Sequence, residues 1–195
     1  MNPDTADVLD RLYDEDAAQR AAKLPSSQRT RNVDRETGLW LNLLLRTMGA
    51  RAILEIGSSN AVSTIWLGDA ARANGGTVIG TELIPERAAE ANRNLANAGL
   101  AEVARVIPGD AQATIATLEG PFDVVFIDAE KDDYVAHFEA AIDLVRGGGL
   151  ILADNVTSHD ISAYQDLVRS RTDMETVTIP IGRGIEFTVK VAGDG

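Results

Sequence analysis

Val8, Leu9, Leu12 and Tyr13 recur at helical spacing in an acidic stretch that runs to about Leu24, where Pro25-Ser26-Ser27 interrupts it. One amphipathic helix is predicted there, either packing on the body of the fold or acting as a lid or dimer element. From Arg35 to Met48 the apolar positions Leu39, Trp40, Leu43, Leu44 and Met48 mark a second helix, with Gly49 as its stop. Beyond this helical extension over residues 1–50 the pattern alternates. Strands are predicted at Ala52–Ile56, Thr77–Thr81, Val103–Ile107, Phe122–Ile127 and Leu150–Ala153. Between them lie a helix through Ile65, Trp66 and Leu67 to Ala73, one at Pro85–Asn97, a short one at Ala111–Leu118, and one at Tyr134–Val145 stopped by Gly147-Gly148-Gly149. A helix at Ile161–Arg171 and two closing strands, Glu175–Ile179 and Ile185–Val191, complete the chain.

Strands alternating with helices require parallel pairing and right-handed crossovers, while a terminal hairpin adds antiparallel edge strands. The expected fold is α/β: a Rossmann-like, doubly wound, mostly parallel seven-stranded sheet with an antiparallel C-terminal hairpin and an N-terminal helical extension. No repeat, linker or low-complexity segment divides it, so residues 1–195 are expected to form a single domain, with residues 51–195 as its α/β core.

Composition narrows the chemistry. Eighteen basic against 30 acidic side chains give a formal charge of −12, and the pI is near 4.5. Such a surface is a poor partner for phosphate backbones, so neither nucleic acid nor an anionic membrane is expected as a partner. The chain has no cysteine and two histidines, His137 and His159, which excludes thiolate sites and disfavours zinc. Met1–Asp10 lacks a basic segment followed by an apolar run, and no eighteen apolar residues are consecutive; a cytoplasmic protein is expected.

In a doubly wound sheet, ligands bind beyond the carboxyl ends of the strands near the switch point. The first strand runs into Gly57-Ser58-Ser59-Asn60-Ala61, a turn without the GxGxxG pattern, in which Gly57 permits close backbone approach to a ligand. Glu55 either accepts a hydrogen bond from an ammonium group or is a solvated residue of an ordinary turn. Glu82 ends the second strand, where an acidic side chain binds ribose hydroxyls. Asp110 follows the third strand and suits either an adenine amino group or the N-cap of the next helix.

The fourth and fifth strands end in Asp128 and in Asp154-Asn155. Adjacent parallel strands bring these three side chains together as a hard-oxygen set suited to magnesium, although each singly also suits capping or a turn. Lys131, one helical turn beyond Asp128, is either a base in that cleft or a surface lysine.

Together these segments resemble the metal-dependent O-methyltransferases of the catechol and caffeoyl-coenzyme-A type, within the class I S-adenosylmethionine-dependent methyltransferases. The likeness runs from about Arg31 to Val191 and rests on LEIGSSNAVSTIWL, the end of VIGTEL, VIPGDA, FDVVFIDAEKDDY, GGGLILADNV and IPIGRGIEFTVK. It implies S-adenosylmethionine as cofactor, contacted by Val33, Glu55, Gly57, Ser58, Ser63, Glu82, Asp110, Ala111, Asp128 and Glu130. It also implies a divalent cation, expected to be Mg2+, held by Asp128, Asp154 and Asn155. Lys131 would be the catalytic base beside Asp128, and His159 would meet a small-molecule acceptor together with Lys131 and Asn155. The implied reaction moves a methyl group to a hydroxyl of a catechol-like acceptor, and the implied assembly is a homodimer.

Three features depart from the family pattern. Ala61 stands where glycine is usual, the stretch after Asn155 is short, and Arg183 replaces an acidic residue at its turn. The competing readings are a metal-independent small-molecule methyltransferase, a nicotinamide oxidoreductase on the same sheet, and a non-catalytic S-adenosylmethionine-binding or interaction protein.

Overall fold

The computed structural model describes residues 1–25 and 28–192; Ser26 and Ser27 of the expected helix break lie outside the described residues. The elements are α1 (Pro3–Ala21), α2 (Arg35–Thr47), β1 (Ala52–Ile56), α3 (Val62–Asn74), β2 (Thr77–Glu82), α4 (Pro85–Asn97) and β3 (Ala104–Pro108). They continue with α5 (Ala111–Ile115), β4 (Phe122–Ile127), α6 (Tyr134–Ala141), β5 (Val145–Asp154), α7 (Ser162–Ser170), β6 (Met174–Ile179) and β7 (Ile185–Lys190). The seven strands form one sheet in the order β3-β2-β1-β4-β5-β7-β6. β1 to β5 pair in parallel, and β7 pairs antiparallel with both β5 and β6.

The sheet divides two apolar layers, and the strand period of two assigns residues to them. Ile53, Val124, Phe126, Leu150 and Leu152 face Leu41 and Leu45 of α2, Ile65 of α3 and Ala88 of α4. Leu54, Ile56, Val125, Ile127 and Ile151 face Ile115 of α5, Phe138 of α6 and Tyr164 of α7. Helix α1 adds Val8, Leu9 and Leu12 to the first layer and is tied to the body by Thr5 Oγ1 donating to the Ala98 carbonyl (3.0 Å). Its apolar face is thus covered within the chain; of the extension, Leu39 and Leu43 on α2 remain exposed. No helix among the described residues is long and apolar enough to cross a membrane.

One expectation is corrected. The helix predicted over Tyr134–Val145 is α-helical to Ala141 and continues as a 3-10 turn over Ile142–Leu144, but Gly147-Gly148-Gly149 lies inside β5 instead of terminating it. Pairing jumps from Phe122↔Val145 to Val124↔Leu150, so the glycines form an irregularity against β4. A Cβ on Gly149 would stand 2.7 Å from Val145 Cγ1 and 3.0 Å from the Asp123 carbonyl oxygen, which leaves no room for a side chain. The closing hairpin is antiparallel as expected, with β7 inserted between β5 and β6, so β6 is the edge strand on this side and β3 on the other.

Sequence order reverses between β1 and β4. From β1 the chain winds outward through β2 and β3, then crosses to β4 on the other side. Loops leaving the carboxyl ends of these two strands diverge and open a crevice.

Candidate functional site

Gly57 and Asp128 begin that crevice. Gly57 and Ser58 donate their backbone N–H groups to the Thr81 carbonyl (3.1 and 2.9 Å), and Asp128 donates to the Ile56 carbonyl (2.9 Å). Gly57 has φ +96°, and a Cβ there would meet the Asp128 carbonyl oxygen at 2.4 Å, so only glycine lets the two loops lie against each other. Ala61, before α3, adopts φ +76°, the conformation glycine takes without strain. The turn therefore keeps its shape with alanine, at a backbone cost of about 1 kcal/mol or more.

Around this junction lies a cavity of about 600 Å³, a size that suits a cofactor. Of the residues singled out from the sequence, Val33, Gly57, Ser58, Ser63, Glu82, Asp110, Ala111, Asp128, Glu130, Lys131, Asn155 and His159 line it. Asp154 instead lines a smaller adjoining cavity that shares Asn155 and Val33 with the first.

Glu55 lines neither cavity, contrary to the expected direct contact and to the solvated alternative. It is fully buried behind the turn, where it accepts hydrogen bonds from Ser58 Oγ (2.6 Å) and Thr64 Oγ1, while its Oε1 has no partner among the described residues. Burial raises its carboxyl to about 7, against the lowering effect of those hydroxyls. Glu55 holds the turn's shape from behind.

Glu82 sits at the opposite wall and accepts backbone N–H bonds from Ser59 (3.0 Å) and Ile84 (2.9 Å). Each carboxylate oxygen retains a lone pair, enough for a pair of hydroxyls. Asp110 caps α5 through the Ala113 N–H (2.8 Å) while lining the cavity, so the capping reading is realised at the cavity edge.

At the other end Asn155, with φ +67°, turns its side chain between two carboxylates. Its Nδ2 donates to Asp128 Oδ1 and to Asp154 Oδ2, both at 2.9 Å. Lys131 Nζ donates to Asp128 Oδ1 (3.1 Å) and to the Tyr134 hydroxyl, which in turn donates to the Asp154 carbonyl (3.0 Å). Burial keeps the Tyr134 phenol neutral by raising its pKa well above the ordinary value. Burial, then the neighbouring Asp128, raises Asp154 to about 7, and Asp154 Oδ1 has no partner among the described residues.

No group of three or more His, Cys, Asp or Glu that could hold a metal occurs among the described residues; this set has two carboxylates and an amide. It nevertheless fits a hard cation. One point lies within hydrogen-bond reach of both carboxylates, one carboxylate oxygen there lacks a partner, and rotating the Asn155 amide would supply a third oxygen.

Arg31 and His137, which were not singled out from the sequence as site residues, complete the cavity with Arg183 and His159. Arg31 crosses it to pair with Glu130 (2.5 Å), which holds that carboxyl below its ordinary value. His137, whose imidazole burial holds below its ordinary value, has no partner for Nδ1 among the described residues and lines the wall near Asp110. Arg183 reaches Asn155 Oδ1 with Nη1 (3.4 Å). His159 is exposed at the rim and contacts Ser158 Oγ (3.0 Å).

A sheet wound in two directions, with a cavity over the reversal and an acidic residue closing β2, places the protein in the Rossmann-like class. Residues 5–178 match the family model described as O-methyltransferase, and the chain belongs to that family. It is 43% identical over 141 residues to a catechol O-methyltransferase of Mycobacterium tuberculosis, covering 72% of this chain and 62% of that protein. A catechol O-methyltransferase of Niastella koreensis is 40% identical over 129 residues, covering 64% and 58%. The matches thus span less than two thirds of either relative's length. Among solved structures, cofactor-bound Rv0187 from MTB superposes with a TM-score of 0.80 at 32% identity, covering 99% of this chain and 92% of that one. An O-methyltransferase from Bacillus cereus in complex with SAH gives 0.79 at 28%, covering 94% and 90%.

Proposed function

We propose that the protein transfers the methyl group of S-adenosylmethionine to one hydroxyl of a small vicinal-dihydroxy aromatic acceptor, with a divalent cation, magnesium by its donor set. The observation that carries this reading is the convergence of Asp128, Asp154 and Asn155 beside Lys131, in continuity with the cavity that Glu82 closes. The names of the relatives, and the SAH held by one structural neighbour, support it.

Glu82 would receive the ribose hydroxyls, and the Gly57–Ser63 turn with the start of α3 would hold the amino-acid end. Asp128, Asp154 and Asn155 would hold the cation, which would supply Lewis-acid chemistry that eases loss of a proton from an acceptor hydroxyl. Lys131 Nζ would be the acceptor of that proton. Tyr134 holds the lysine amine towards Asp128. The acceptor oxygen then forms a bond to the methyl carbon as the carbon–sulfur bond breaks, and the electron pair stays on sulfur in the thioether product. The protein's contribution is alignment of oxygen, carbon and sulfur within a walled cavity.

The test is methyl transfer to catechol from labelled S-adenosylmethionine, with magnesium and with a chelator, for the parent protein and Asp154→Ala. Transfer is expected with magnesium alone, and Asp154→Ala is expected to lose it while still binding S-adenosylhomocysteine. Transfer that survives both the chelator and the substitution would replace this reading with the metal-independent one.

A further inference from the structure

We infer that the acceptor carries a carboxylate and that Arg183 receives it; this deepens, and rests on, the function proposed above. The smaller cavity, of about 340 Å³, opens directly beside Asp154 and Asn155, where the acceptor would lie. Beside the carboxylates of Asp16, Asp34 and Asp154, its wall carries the guanidinium groups of Arg20, Arg31, Arg35 and Arg183. Three of these are already neutralised by ion pairs: Arg20 with Asp16 (2.7 Å), Arg31 with Glu130 (2.5 Å) and Arg35 with Asp10 (2.6 Å). Arg183 forms no ion pair among the described residues, and its recorded polar contact is the long one to Asn155 Oδ1 at 3.4 Å.

Its position is built into the fold. The Arg183 carbonyl accepts from Thr157 N (3.0 Å) and Thr157 Oγ1 (2.7 Å), and the Gly184 carbonyl accepts from Val156 N (3.1 Å). These bonds fasten the β6–β7 turn to the two residues that follow Asn155. The guanidinium is thereby held over the same segment that supplies the candidate cation ligands.

A guanidinium beside a half-enclosed cavity and without a carboxylate partner is matched by a planar anion, to which it offers two parallel N–H donors. Arg183 is exposed, so a neutral diol leaves it to water and gains nothing from it, while an acceptor bearing an amine is repelled by it. The structure therefore assigns the acceptor to the vicinal-dihydroxy aromatic acids, with Arg183 as the residue that selects the acid.

The experiment compares 3,4-dihydroxybenzoate with 3,4-dihydroxybenzamide, which share ring, diol and size and differ in charge, with catechol as a third acceptor. The parent protein is expected to favour the acid by about two- to fivefold in kcat/KM, chiefly through KM, as an ion pair with an exposed arginine warrants. The ratio should approach one in Arg183→Ala, fall below one in Arg183→Glu, and be partly retained in Arg183→Lys. Calorimetric affinities for the acid and the amide, with S-adenosylhomocysteine and magnesium present, should follow the same order. Because each result is a ratio within one protein, a general loss of folded material cannot produce it. Catechol methylated with acid and amide used equally, or an unchanged ratio in Arg183→Ala, would overturn this inference alone. No methylation of catechol, acid or amide would overturn the proposed function, and this inference with it.

Discussion

Gly57→Ala should push apart the loops that follow β1 and β4, and the structure sets the scale of the damage. The new Cβ would lie 2.4 Å from the Asp128 carbonyl oxygen, 2.8 Å from its carbon and 3.1 Å from Ala129 Cα, all backbone atoms that no rotamer change can move. A carbon–oxygen contact needs roughly 3.3 Å, so the loops must separate by about 1 Å. Holding alanine at φ +96° adds about 1–2 kcal/mol to an overpacking cost of about 1–3 kcal/mol. The expected loss is therefore about 2–5 kcal/mol, or a fall in Tm of roughly 5–15 °C for a chain of this size. The separation also moves Asp128, whose N–H bonds to the Ile56 carbonyl and whose side chain meets Lys131 and Asn155. Calorimetry with S-adenosylhomocysteine should show affinity weakened by about tenfold or more, since loss of one good contact has that effect. A variant with parental Tm and parental affinity would refute the claim that this loop contact shapes the cavity.

Three further outcomes follow from the site. Because Asp154 is raised to about 7 and must be ionised to hold a cation, divalent binding should weaken about tenfold per pH unit below that value; Mn2+ titration by paramagnetic resonance at constant affinity from pH 5.5 to 7 would contradict this. Glu55, raised from 4.5 to about 7, favours the folded state while protonated, so its contribution is present at low pH and is lost as pH rises through 7; Glu55→Gln should flatten that part of the denaturation-versus-pH curve by at most about 3 kcal/mol. Tyr134→Phe removes the hydroxyl that orients Lys131 and satisfies the Asp154 carbonyl, so kcat should fall by about tenfold and stability by about 1–3 kcal/mol; unchanged kcat would remove the positioning role.

The alternation of strands and helices was legible because parallel strands buried on both faces are written as short apolar runs, as in Ile53–Ile56 and Val124–Ile127. The triglycine misled because glycine ends helices and also admits strand irregularities, and only the pairing with β4 distinguishes the two. The convergence of Asp128 with Asp154-Asn155 was equally legible, since pairing of β4 with β5 brings them together. What stayed hidden needed side-chain direction or distant partners. Glu55 shares the sheet face of Ile53 and is claimed by Ser58 and Thr64 behind the turn. Arg31 reaches Glu130 across 99 positions of sequence, and His137 owes its place to the way α6 packs. Arg183 was visible as a departure, but its lack of an ion pair over the adjoining cavity is a property of the folded chain.

Calorimetric titration with S-adenosylhomocysteine tests, without reference to any acceptor, the proposal that the cavity over the β1–β4 reversal binds S-adenosylmethionine. One site per chain with micromolar affinity is expected, weakened about tenfold or more in Glu82→Gln, where a charged acceptor of two hydroxyls becomes a neutral one. Absence of binding to the folded protein, or binding that ignores the Glu82 substitution, would contradict it.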